Sequence, residues 1–194
     1  MNDLPARIDY LLERLRKSYD GLGHSSGRPY VYFVYPPDQE RAVDRLVREN
    51  FQGEKTLAFH HIDLLPLTIS SLAGHEDKRA ALLNDPVRGL GAGESIMKLW
   101  ARALGRTITE QLQAAGDPGR PVVILHGLAA LHPLGDPTAL MEVLAEHEPR
   151  AAGSGQMVPI VLLVPGIRPP QTSRRYLFLG RDDLRLDFYR GEEA

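Results

Sequence analysis

The chain has 194 residues, 43% apolar and 25% charged, with a formal net charge of −2 and no cysteine. That length buries a core without covalent staples, and the missing cysteines exclude disulfides, thiolate zinc sites, cysteine-ligated iron–sulfur clusters and a cysteine nucleophile. The near-neutral charge speaks against a whole-surface nucleic-acid binder but not against a local basic patch, and with no apolar run near ~20 residues and no basic-then-apolar start, a cytoplasmic location without membrane contact is expected.

Leu4, Ile8, Leu11, Leu12 and Leu15 recur at helical spacing, which predicts a helix over 3–20 packed on the core, with Asp3 as its cap. Residues 21–29 (GLGHSSGRP) have loop composition. The run Tyr30 to Tyr35 is wholly β-branched or aromatic and predicts a strand covered on both faces. Pro36-Pro37-Asp38 ends it and opens a helix whose stripe is Ala42, Val43, Leu46 and Val47, with Asp38 as cap and Asn50 and Gly53 marking the end. Lys55 to Ile62 predicts a second strand. Asp63 then caps a short helix to about Leu72, and Glu76 to Leu83 forms another. The longest helical pattern, about Glu94 to Ala114, carries Ile96, Leu99, Trp100, Ala103, Leu104, Ile108 and Leu112, and Gly116 to Gly119 stops it. Pro121 to His126 predicts a third strand, Pro137 to Glu146 a helix, and Pro149 to Gln156 a loop. Val158 to Val164 predicts a fourth strand ended by Pro165-Gly166. Tyr176 to Leu179 and Leu184 to Tyr189 alternate as edge strands or a hairpin do. No linker or repeat divides the chain, so residues 1–194 read as a single domain.

Strands alternating with helices, and apolar on both faces, define an α/β domain of three layers with a mainly parallel sheet. Ligand sites in such sheets lie at the carboxyl ends of strands. The element order resembles a P-loop or AAA-type ATPase core, yet both chemical devices are missing. A Walker A cradle needs glycines with free N–H groups, then Lys and Ser or Thr. Here two prolines delete two donors and Asp38 adds a negative charge. The third strand ends in His126-Gly127 with no acidic residue before Asp136, so no Walker B carboxylate follows it. Such a core is expected to be degenerate and catalytically silent, with no cofactor. Gly89 to Ser95 is glycine-rich but follows no strand, which marks it as the start of the long helix rather than a phosphate loop.

Three other patterns bear on chemistry. His60, His61, Asp63 and His126 fall at neighbouring strand ends, and imidazoles with a carboxylate suit a metal-dependent enzyme. Adjacent strand residues point to opposite faces, so His60 and His61 cannot both line one site, and capping explains Asp63. No G-x-S-x-G elbow is present. The stretch 168–190 holds six arginines (168, 174, 175, 181, 185, 190) and three aspartates (182, 183, 187), interleaved with Tyr176, Phe178, Phe188 and Tyr189. It suits a protein interface, a solvated edge hairpin whose charges block aggregation, or a nucleic-acid-binding surface. Nineteen of the 23 basic residues are arginine. That skew fits GC-rich coding as well as selection for bidentate anion contacts.

An ordered set of segments carries a family resemblance. It comprises YVYFVYPPDQE from Tyr30, Asp63-Leu64-Leu65, VVILHGLAALHPL from Val122, VPIVLLVPG from Val158, then Arg175, Tyr176 to Gly180, and Phe188-Tyr189-Arg190. Together these resemble the BrxB family of bacteriophage-exclusion (BREX) defence systems, over most of the chain from Tyr30 onward. A departure lies at Leu131-His132 and Asp136, where family members more often carry a basic residue. The resemblance implies a non-enzymatic accessory or scaffold protein of an antiviral island. Its partners would be a PglZ-type phosphatase-fold protein, with a BrxC-type ATPase and a BREX methyltransferase beside it. On this reading Arg174, Arg175, Phe178, Tyr189 and Arg190 form the partner surface, and Pro165, Gly166, Gly180 and Gly127 set turns.

Overall fold

The computed structural model describes residues 3–22, 29–74, 76–114, 119–147, 149–151, 155–170, 172 and 174–194. The loop expected over 21–29, the helix stop at 116–118 and the middle of the loop at 149–156 lie largely outside those residues.

Six α-helices and seven strands alternate along the described chain: α1 (Leu4–Ser18), β1 (Tyr30–Tyr35), α2 (Glu40–Asn50), β2 (Leu57–Asp63), α3 (Leu64–Ser70), α4 (Glu76–Asn84), α5 (Ala92–Ala114), β3 (Arg120–His126), α6 (Pro137–Leu144), β4 (Ile160–Ile167), β5 (Arg175–Phe178), β6 (Arg185–Asp187) and β7 (Gly191–Glu193). The main sheet has the order β2-β3-β4-β1-β7, and all its pairings are parallel. The β5–β6 hairpin is antiparallel and hangs from the far end of β4.

The period of two in β1 explains why helices cover both faces. Val31, Phe33 and Tyr35 pack with α1 and α2 through Ile8, Leu11, Leu15, Val43 and Val47. Tyr30, Tyr32 and Val34 face the other way, against Trp100, Leu104 and Ile108 of α5 and Leu140 of α6. All six β1 residues are buried. The result is a three-layer α/β domain with a mostly parallel sheet, as the alternation of elements implied.

Several local expectations change. Asp3 and Asp38 make no side-chain cap bond, whereas Asp63 does cap α3, its Oδ1 accepting from Leu65 N–H at 2.9 Å. Leu99 of α5 is 44% exposed, and Met97 and Ala101 take buried positions instead. Strand β4 does not end at Pro165-Gly166. It runs through both to Ile167 and pairs antiparallel with β5, Gly166 opposite Phe178. Gly166 is therefore no turn residue. A Cβ there would lie 2.8 Å from Leu177 O, so glycine permits the close approach of β5. Gly127 and Gly180 do adopt left-handed φ, 65° and 70°. Phe178 has no exposed surface and belongs to the core rather than to a partner surface. Strand β7, with Glu192 and Glu193, has no apolar pattern to announce it.

Candidate functional site

Two concavities hold the residues of interest. The first is a cleft of about 230 Å³ at the carboxyl ends of β1, β2 and β3, lined by Tyr35, Glu40, Asp44, Asp63, His126 and Gly127 among others. The turn leading into it is poor in donors. Pro36 and Pro37 have no N–H, Gln39 N–H goes to Pro36 O at 2.9 Å, and Glu40 N–H goes to Pro37 O. Only Asp38 keeps an N–H uncommitted to the turn's own carbonyls, and its side chain is acidic. Burial, with the Asp44 and Asp63 charges, raises the Glu40 carboxyl above its usual range.

His126 of the cleft and its neighbour His61 are already occupied. His61 Nε2 lies 2.8 Å from Phe51 O, His61 Nδ1 lies 2.8 Å from His126 Nε2, and His126 Nδ1 lies 2.7 Å from Asp44 Oδ1. All four ring nitrogens thus face protein atoms. Both ends of this chain of contacts sit on α2 or its C-cap, so it ties that helix to β2 and β3. Three contacts need three hydrogens, and two neutral imidazoles bring two. Burial, then the Arg48 charge and His61, pull His126 down to about 4. Asp44 opposes that shift, because its contact gains a hydrogen when His126 takes a second proton. Burial likewise lowers His61. Arg48 grips Asp44 through Nε, 3.0 and 3.1 Å from the two carboxylate oxygens.

The structure therefore brings His61 and His126 together but gives them Asp44 rather than Asp63, which is held as the α3 cap. His60 is the neighbour of His61 on β2 and falls on the opposite side of the strand. Among the described residues no group of three His, Asp or Glu side chains is placed to hold a metal ion. Asp44 had escaped notice. Its signal was the spacing Glu40, Asp44, Arg48 beside the buried pair Val43 and Val47, which sets a charged row along the edge of the packed face.

The second concavity, of about 790 Å³, lies at the β1–β7 edge beneath α1. Arg174 and Arg190 line it, as do Arg7 and Arg14 of α1 and Arg168 beyond β4. Arg175 lies elsewhere, paired to Asp187 at 3.0 Å. Tyr189 is half-buried, its carbonyl accepting from Tyr32 Oη at 3.2 Å. Of the expected partner surface, then, two arginines converge, Arg175 and Tyr189 stand aside, and Phe178 is internal. Arg7 and Arg14 were legible only as two charges seven residues apart beside the α1 apolar stripe.

A scan of protein-family models finds no match to this chain, and neither do searches of curated proteins and of solved structures. No helix among the described residues is long and apolar enough to cross a membrane.

Proposed function

We propose that this protein is a non-catalytic accessory protein that docks a larger partner, in the manner the BrxB resemblance implies. The partner is a PglZ-type protein of a BREX-type defence system, with the BrxC-type ATPase and the methyltransferase as further neighbours. The observation that carries the reading is the turn after β1. At the place where an ATPase core cradles phosphate, this chain has two prolines, N–H groups consumed by the turn, and three carboxylates, Glu40, Asp44 and Asp63, against one arginine, Arg41. Phosphate needs donors and positive charge there. His126 beside it is 2% exposed, with Asp44 and His61 at its two ring nitrogens.

Binding is then the work of the surface, and the tail supplies it. Arg174 and Arg190 are exposed arginines without carboxylate partners among the described residues, in the segment where the resemblance is densest. Co-purification with a PglZ-type protein tests the reading. Association at micromolar concentration is expected, and calorimetry with ATP should show no binding. ATP turnover, or no association with such a partner, overturns it.

A further inference from the structure

We infer that the arginine cavity between α1 and the tail is a binding site for an acidic peptide segment, and that this is the contact through which the docking partner is held. The inference rests on the docking reading above and adds the place and chemistry of recognition.

Three of its five arginines are fixed by the protein itself. Arg7 Nη2 donates to Val34 O at 2.7 Å, and its guanidinium lies 4.6 Å from the Phe33 ring centroid. Arg14 donates to Glu193 O at 2.6 Å and pairs with Glu192 at 2.8 Å. Arg168 pairs with Glu193 at 3.0 Å. These contacts make a rigid floor in which arginine meets carboxylate. Among the described residues Arg174 and Arg190 stand on the same cavity with no such partner; Arg190 lies over its neighbour Tyr189, 5.5 Å from the ring centroid. Fork-shaped guanidinium groups held apart on a preformed concavity select planar carboxylates.

The backbone is shaped around this placement. Arg190 has φ 43°, a region that costs an L residue about 1 kcal/mol and that glycine or asparagine would occupy more readily. The next residue, Gly191, is confined by packing. A Cβ there would come within 2.5 Å of Tyr32 Cε2 and 2.8 Å of Tyr30 O. The chain turns sharply at 190–191, seats β7 on β1, and leaves an arginine at the bend beside the cavity.

The same surface is ill suited to single-stranded nucleic acid. That needs a row of open aromatic rings and a continuous basic track. Two of the tail's four aromatics, Tyr176 and Phe178, are fully buried, and Phe188, which lines the cavity, is half-buried with its ring stacked on Tyr176 at 5.2 Å and 23°. Tyr10 is the one strongly exposed ring on the cavity. Beyond it carboxylates interrupt the basic residues, Asp187 pairing with Arg175 and Asp183 with Arg181.

Fluorescence anisotropy tests the inference on the full chain, with a labelled peptide of alternating glutamate and serine and, in parallel, labelled oligothymidylate. The peptide is expected to bind more tightly than the DNA at equal ionic strength. Reversing Arg174 or Arg190 to Glu should weaken peptide binding about tenfold each, with roughly a hundredfold loss for the pair. Arg175→Glu, outside the cavity, should change it less than about twofold. Circular dichroism should show each variant folded. Peptide binding that is absent, or equally lost in Arg175→Glu, overturns the inference, and so does tighter binding of the DNA that falls with Arg174 and Arg190. If the peptide binds as expected but no PglZ-type protein associates, the site stands and the partner named above falls.

Discussion

The strand-end cleft and the tail cavity are opposites in charge and in what their polar groups are doing. The cleft lies where α/β sheets usually keep their ligands, yet its His126 is engaged by Asp44 and His61, and its lining carries three carboxylates against one arginine, Arg41. The cavity lies at the edge of the same sheet, is formed partly by one of the two shortest strands, and holds two arginines that no carboxylate among the described residues answers. A group bonded inside the fold contributes to stability, whereas a preorganised group left unanswered is available to a ligand. Changes in the cleft should therefore read out as stability, and changes at the cavity as binding.

The sharpest test of that division is His126→Ala. It leaves Asp44 and His61 without their partner in a position that is 2% exposed, and should lower stability by about 3 kcal/mol in urea or thermal unfolding. Acidic-peptide affinity should stay unchanged, and a loss of binding would break the distinction. Gly191→Val comes next. Its branched side chain has no room against Tyr30 and Tyr32, so β7 should unseat at a cost of about 2 kcal/mol. Peptide binding should be lost with it, because Glu192, Glu193 and Arg190 move together.

Acid titration probes the cleft more gently. His126 and His61 are held below the ordinary histidine value, so between about 6.5 and about 4 the unfolded chain binds more protons than the folded one. Stability is full above about 6.5 and falls as pH drops toward 4. The slope across that range should flatten in His126→Gln. Last, Arg174→Glu combined with Arg190→Glu should alter stability by no more than ~0.5 kcal/mol, as exposed unpaired positions do. A larger loss of melting temperature would assign these arginines to the fold.

Much of the architecture was written in local pattern. The continuous β-branched and aromatic run Tyr30 to Tyr35 and the apolar runs at β3 and β4 announced a sheet covered on both sides. The leucine stripe of α1 announced its packed face, and Asp63 its capping role. Asp38 failed as a cap because a short 3-10 turn, Pro37 to Gln39, comes before α2 and puts Gln39 at its N-cap. Phe178 misled for a different reason. Alternation along a four-residue strand does not say which side is inward, and packing into the core cluster on the α5 side of the sheet decided it.

The sites were less legible. The arginine richness of 168–190 was visible, but not which arginines would be neutralised at close range and which would converge. That depended on Asp187 lying opposite Arg175 across the hairpin, and on α1 bringing Arg7 and Arg14 from far along the chain. The histidines stood out from the start, while Asp44, the residue that engages His126, looked like one more charge on a solvated helix.

Periodicity and composition thus sufficed for the layered α/β class, the core faces and the absence of a phosphate-binding sequence after β1, because those depend on neighbours a few residues apart. Which charges are answered and which stay open was settled only in three dimensions. A carboxylate and an arginine cancel when the fold sets them about 3 Å apart, and no local pattern records that distance.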